Sequence, residues 1–362
     1  MAFGIAPQRR ADFTLPSPPS DTVSDLAFSP NAQFLVAGSW DNGVRCWELQ
    51  RQSATEGVVN AAPKAQINHE APVLSVDFSA DGSVVFSGGC DKVLKMWNLG
   101  QAGHQGQNIG QHDAPIRHVQ FLPEPQLVAT GSWDKTVRFW DARQPNPAAQ
   151  IQLEDKVYAM DAVFPLLVVG LGDANRTMAV YDMSQGQPRL HAKKQSQLKY
   201  QTRCVACLPD KTGFAVGSIE GRVGIEYVNE MVPEHQTPPT NKRGFAFKCH
   251  RDQPAGKGAT VYAVNAIAMH RYGTFATGGS DGSFNFWDKD SRQRLKAFDK
   301  RDNAITCARF SAAGDLFAYG IGYDWSRGCE HAPPPGQAHS NIFVHHATDE
   351  EIKPREKAGD KK

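Results

Sequence analysis

No apolar run in this chain of 362 residues approaches the ~18 needed to cross a membrane, and the N-terminus has no apolar core of the kind a secretory leader carries. Cysteine is scarce. Its seven copies are scattered and odd in number, which excludes the paired framework of a small secreted domain. The expectation is an intracellular protein with no membrane insertion. Neither charge dominates: a formal net charge of +1 excludes a globally basic nucleic-acid binder and leaves only local patches. Gly-x-Ser-x-Gly, phosphate-loop, His-Glu-x-x-His and dinucleotide signatures are missing. The chain therefore reads as a non-enzyme without cofactor. A sustained helical period is missing too, so helices are not expected to build the core.

What the sequence does contain is a repeat. Gly38-Ser39-Trp40-Asp41 runs to Trp47, Gly89-Cys90-Asp91 to Trp97, Gly131-Ser132-Trp133-Asp134 to Trp140, and Gly279-Ser280-Asp281 to Trp287. Anchor aromatics at 47, 97, 140 and 181 are separated by 50, 43 and 41 residues. Such steps match the ~40–45 residue period of a four-stranded blade with a WD-type ending. Upstream of the anchors, Val23–Phe28, Val73–Phe78, Ile116–Phe121, Val264–Met269 and Ile305–Phe310 alternate apolar with polar or small residues, as half-buried strands do. The fold class is all-β: a single seven-bladed propeller over residues 12–347, with flexible termini at 1–11 and 348–362. Blades are expected near 21–50, 70–100, 113–142, 156–183, 202–249, 262–289 and 304–346. Blades four, five and seven are degenerate, and the seventh carries an insertion from Tyr323 to Ser340. Asp12-Phe13-Thr14-Leu15 is the candidate strand that closes the ring.

Several residue sets invite a chemical reading. The turn aspartates Asp41, Asp91, Asp134 and Asp281 suit hairpin hydrogen bonds and the orientation of histidines such as His69 and His112 better than catalysis. Cys204 and Cys207 fall three apart on a predicted strand, so their sulfurs point to opposite faces. Cys249-His250 is expected to be opposed in the same way, and no metal site is predicted. Trp40 and Trp133 precede turn aspartates, on loops opening to an end face. Each either packs on the neighbouring blade or anchors a bound peptide. In blade five, Arg203, Arg222, Lys248 and Arg251 are either solvated charges or, together, an acceptor for acidic side chains.

The phrases Gly38–Glu48, Gly131–Asp141, Gly217-Ser-Ile-Glu-Gly-Arg-Val223, Phe247-Lys-Cys-His-Arg251 and Ala276–Asp288 resemble the WD-repeat nuclear-pore mRNA export factors of the Rae/Gle family. The likeness runs from about residue 12 to Arg355. Tyr323-Asp-Trp-Ser-Arg-Gly-Cys-Glu330 and Val44-Arg-Cys-Trp47 look like the export factors. Leu198–Cys204 is similar to the sister family of spindle-checkpoint proteins that partner Bub kinases, and Ala332-Pro-Pro-Pro-Gly336 departs from the export-factor loop. The resemblance implies an adaptor that holds a GLEBS segment of a Gly-Leu-Phe-Gly nucleoporin across one face and supports mRNA export. It also implies single-stranded RNA or ribonucleoprotein as a further ligand, and residence in the nucleus, at the pore and in the cytoplasm. Trp40, Trp133, Arg203, Arg222, Lys248 and Arg251 are the implied peptide contacts. Capture of a checkpoint kinase, substrate reception for a ubiquitin ligase, and an enzyme remain as alternatives on the same scaffold.

Overall fold

The computed structural model describes residues 11–53, 56–100, 105–228, 243–253, 258–334 and 340–355. In them the apolar–polar alternation becomes strand, giving seven four-stranded antiparallel sheets and one two-stranded ribbon. The innermost strands are Val23–Phe28, Val73–Phe78, Ile116–Leu122, Val157–Val163, Thr202–Cys207, Val264–Met269 and Ala304–Phe310. Each packs on the next, and the seventh packs on the first. The molecule is a seven-bladed propeller of the WD-repeat type.

Closure uses the N-terminal strand, as expected. Phe13–Thr14 pairs antiparallel with Asn341–His346, Phe13 opposite Val344 and Thr14 opposite Phe343. The Leu15 amide then donates to the Ile342 carbonyl at 2.9 Å. Blade seven therefore takes its outer strand from the opposite end of the chain, which covers the edge that Asn341–His346 would otherwise expose.

Blade extents differ from the expected spans. The Trp-ending phrase marks the third strand, and a fourth lies beyond it, for example Val58–Asn68 in blade one and Gln107–Gln111 in blade two. These outer strands are half exposed and weakly patterned, which hides them in the sequence. The C-terminal reading differs as well. Asp349–Ile352 form a helical turn opened by a Thr348–Glu351 capping box, and Ile352 is buried among Phe284, Phe286 and Phe317. Residues 1–10 and 356–362 lie outside the described residues.

The core lies between blades rather than within them. One cluster joins Leu15, Leu316 and Val344 of the seventh blade and closing strand to Val23, Leu26 and Trp47 of the first. Each such fully buried side chain contributes ~1.5–3 kcal/mol. The repeated glycine has a specific reason: a Cβ at Gly131 would stand 2.8 Å from Val157 Cγ1, on the next blade's inner strand. Blades stack this closely only where that position is glycine.

Antiparallel order also fixes which loops share a face. Connections between second and third strands, and those from an outer strand to the next inner strand, all emerge on one end of the ring.

Candidate functional site

The turns on that face are built alike. The amide before the acidic residue donates to the segment leading into the inner strand: Trp40 to Thr22, Trp133 to Pro115, Ile219 to Gln201 and Ser280 to Ala263, at 2.9–3.1 Å. Beneath the turns the aspartates hold histidines. His112 Nδ1 meets Asp134 Oδ2 at 2.8 Å and its Nε2 meets Thr130 Oγ1 at 2.7 Å, where the Trp140 indole N–H also donates. His69 makes the same bridge between Asp91 and Ser87, and His250 between Asp281 and Thr277. Burial alone would raise the Asp134 carboxyl, but hydrogen bonds from Thr136 and His112 hold it below its ordinary value. Burial likewise pushes His112 down despite the aspartate. These groups are consumed in structure. Asp41 has no histidine and instead accepts from Ser20 and from Arg45 Nη1 at 2.9 Å.

Cys204 and Cys207 do point apart: Cys204 Sγ donates to Val264 O of blade six and Cys207 Sγ to Asp161 O of blade four. Burial pushes the Cys204 thiol up to about 12, far from a metal-binding thiolate. Cys249-His250 is not on a strand. It falls in the connection after Phe245–Lys248, and His250 is spent on Asp281. Among the described residues no three His, Cys, Asp or Glu side chains cluster as metal ligands.

Of the expected contact residues, the cations come together best. Arg222 stands opposite Lys248 across the third and outer strands of blade five. Arg222 Nε lies 3.4 Å from Glu220 Oε2, and Arg251 Nη2 donates to the Glu220 carbonyl at 3.3 Å. Arg251 is not on blade five itself. It belongs to the ribbon Arg251–Asp252 with Thr260–Val261, which crosses over the turn. That crossing requires Gly221, with φ +62°, because a Cβ there would lie 2.4 Å from the His250 carbonyl. Arg203 sits apart, further inward, with Nη2 donating to Asn265 Oδ1 at 3.1 Å. Trp40 is 38% exposed on blade one, whereas Trp133 on blade three is half-buried, with its indole N–H unpartnered among the described residues. The six do not form one pocket; they are spread around one face.

That face carries more than the sequence singled out. Large exposed apolar residues among those described include Trp40, Tyr200, Ile219, Val261 and Trp325, all on connections of this end, while only Val59 and Leu190 lie elsewhere. Ile219 occupies the register of Trp40 and Trp133 in Gly217-Ser-Ile-Glu, so alignment of the turn phrases would have found it. Trp325 stands in the blade-seven insertion at φ +62°, its ring 5.6 Å from that of Tyr323. Asp324 anchors this loop to blade six by accepting from Ser280 Oγ and from Asn265 Nδ2.

The WD domain, G-beta repeat, matches residues 12–48, 63–98, 103–141 and 253–288. The chain is 50% identical over 342 residues to "Protein RAE1" of Arabidopsis thaliana, covering 94% of this chain and 92% of the relative. It belongs to the Rae1 mRNA export factor family. The "Poly(A)+ RNA export protein" of Schizosaccharomyces pombe is 44% identical over 354 residues, 97% of this chain and 94% of that one. The "mRNA export factor" of Danio rerio is 45% identical over 358 residues, 96% and 92% respectively. Family members so similar over nearly their whole length share this scaffold, and the turns described above fall inside the matched span.

Proposed function

We propose that this propeller is a non-enzymatic adaptor in mRNA export that holds a GLEBS-type nucleoporin peptide across the face carrying the blade turns. The observation that supports this reading is the gathering of Trp40, Tyr200, Ile219, Val261 and Trp325 on the end that also carries Arg222, Lys248 and Arg251. Exposed apolar side chains gathered on one end and accompanied by cations are what a docking surface presents. Aromatic side chains would bury apolar groups of the peptide, while guanidinium forks pair its carboxylates. On this reading the protein would act in the nucleus, at the nuclear envelope and in the cytoplasm; among the described residues no helix is long and apolar enough to cross a membrane.

The test is calorimetric titration of the full chain with a synthetic acidic GLEBS-type peptide, beside purification from nuclear extract. Arg222→Glu sets a carboxylate beside Glu220 and should abolish binding with the melting temperature unchanged. Wild-type affinity in that variant would remove the cationic cluster from the site. Preferential capture of a kinase-derived segment would favour the checkpoint reading.

Single-stranded RNA is a second reading, favoured by Lys248, exposed and free of any ion pair among the described residues, on the same face as Tyr200. Stacking and phosphate contacts would hold the strand, and affinity would fall steeply with salt. A salt titration with no binding even at low ionic strength would end it.

A further inference from the structure

The strand that closes the ring is the shortest of any blade. Phe13–Thr14 makes two ladder pairs with Asn341–His346, and the chain then crosses to blade one on a strap at residues 16–20. That strap has almost no backbone hydrogen bonding. Pro16, Pro18 and Pro19 have no amide hydrogen to give, and the Ser17 amide finds no backbone acceptor among the described residues. Its ties lie toward its ends. The Trp47 indole N–H donates to the Pro16 carbonyl at 2.8 Å, and Ser20 donates its amide and hydroxyl to Asp41 Oδ2 at 2.9 and 3.1 Å. A segment held so lightly is the kind that lifts without global unfolding.

Ser17, in the middle, is exposed and has a φ of +51°. Residues other than glycine avoid that region, and a residue preceding proline favours extended backbone. Held backbone of this kind often marks a functional position. An exposed seryl hydroxyl directly before proline is the substrate pattern of proline-directed protein kinases, whose acceptor cleft takes a residue without an amide hydrogen at the next position. Ser29-Pro30, the other Ser-Pro pair of the chain, is buried and accepts the Phe34 amide.

The surface under Ser17 is cationic. Ser17 lines a cavity of about 270 Å³ with Arg45, Trp47, Pro63 and Lys64, from the third and outer strands of blade one. Among the described residues no carboxylate lines it. Arg45 meets Asp41 Oδ1 at 2.9 Å through Nη1 alone, and Asp41 accepts from Ser20 and the Gly43 amide as well. Lys64 meets Glu48 Oε2 at 3.1 Å, a surface pair with 47% of the lysine side chain exposed, which holds it weakly.

We propose that Ser17 is a phosphorylation site for a proline-directed kinase, and that Arg45 and Lys64 receive the phosphate and clamp the strap onto blade one. In the transfer Ser17 Oγ bonds to the γ-phosphorus of ATP while the bond from that phosphorus to its bridging oxygen breaks. ADP leaves, and the hydroxyl proton passes to the carboxylate base of the kinase. Lifting the strap breaks no ladder bond and lets Ser17 relax to extended backbone, which gives the kinase access. Phosphoserine carries about two negative charges and three acceptor oxygens, enough to engage a guanidinium and an ammonium together. The strap is then held at its middle as well as its ends, and the two-residue closing strand is held with it. Neither the peptide nor the RNA reading is needed for this.

The experiment treats folded full-length protein with a cyclin-dependent kinase and ATP, maps phosphate by mass spectrometry and compares melting before and after. Wild type should take up a phosphate at Ser17 that Ser17→Ala lacks, with Ser29 unmodified in both. Melting should rise by about 2–4 °C in wild type and stay unchanged in Ser17→Ala. In Arg45→Gln and in Lys64→Gln the same phosphate should raise melting by less than half as much, and in the double variant not at all. Each increment is read against the unmodified form of the same variant, which removes any loss the substitution itself causes. No phosphate on Ser17 of the folded chain would overturn the site. Melting that stays level or falls on phosphorylation of wild type, or rises equally in the double variant, would overturn the clamp.

Discussion

Ring closure depends on a charged knot that titrates in an accessible range. Asp12, one residue before the closing strand, accepts from Arg301 and from Tyr319, and meets His345 Nδ1 at 2.7 Å; His345 Nε2 meets Glu351 Oε2 at 2.9 Å. Burial opposes charge on His345, but the hydrogen bonds to Asp12 and Glu351 raise it to about 9. Asp12 and Glu351 are both lowered, against burial, by their bonds to His345. A histidine raised in the folded state contributes stability fully present below its unfolded value near 6.5, and that stability is lost as pH rises through about 9. The rise corresponds to about 3 kcal/mol, shared with its carboxylate partners. For a protein of this size that is roughly 5 °C in melting temperature. The carboxylates contribute in the opposite sense, above their unfolded values near 4, and their share is lost as pH falls. His345→Gln should therefore lower the melting temperature at pH 6.5 by about that amount and flatten its decline toward pH 9.5, read by scanning calorimetry across the series. Asp12→Asn should give much the same loss, with little further loss in the double variant. A decline between pH 6.5 and 9.5 as steep in His345→Gln as in wild type would refute the argument that this knot closes the ring.

Other outcomes follow from the same geometry. Trp325→Ala, which removes an indole that is 49% exposed, should leave melting unchanged and weaken peptide binding by about 1–2 kcal/mol in titration calorimetry. Unchanged affinity would take the blade-seven loop out of the site. His112→Ala should instead cost about 1–3 kcal/mol of stability, measured by denaturant unfolding, because Asp134 and Thr130 lose a buried partner together. Peptide affinity of the His112 variant, measured below its melting range, should stay at the wild-type level.

The ring was legible in the sequence because its markers are packing constraints. Gly131, Asp134 and Trp140 recur where blade stacking, turn and anchor each admit few residues, so blade number could be read from spacing, and the need to close a ring pointed to Asp12–Leu15. Outer strands such as Gln107–Gln111 face solvent on much of their surface, tolerate polar sequence, and left no comparable mark. The cap at Asp349–Ile352 was hidden by its lysine-rich surroundings; only burial of Ile352 reveals it. At the candidate site, Arg222 and Lys248 were readable because strand register brings them opposite one another. Arg251 was misplaced because the crossing ribbon, two residues on each side, is too short to show a period.

The central claim is that a peptide occupies the face carrying the blade turns. Hydrogen–deuterium exchange of the full chain, with and without the acidic GLEBS-type peptide, tests it most directly. The account predicts slowed exchange at 219–222, 249–252, 260–262 and 323–327, with the opposite-end turns at 79–83 and 123–126 unchanged. Protection confined to those opposite turns, or to the outer strands at the circumference, would contradict it.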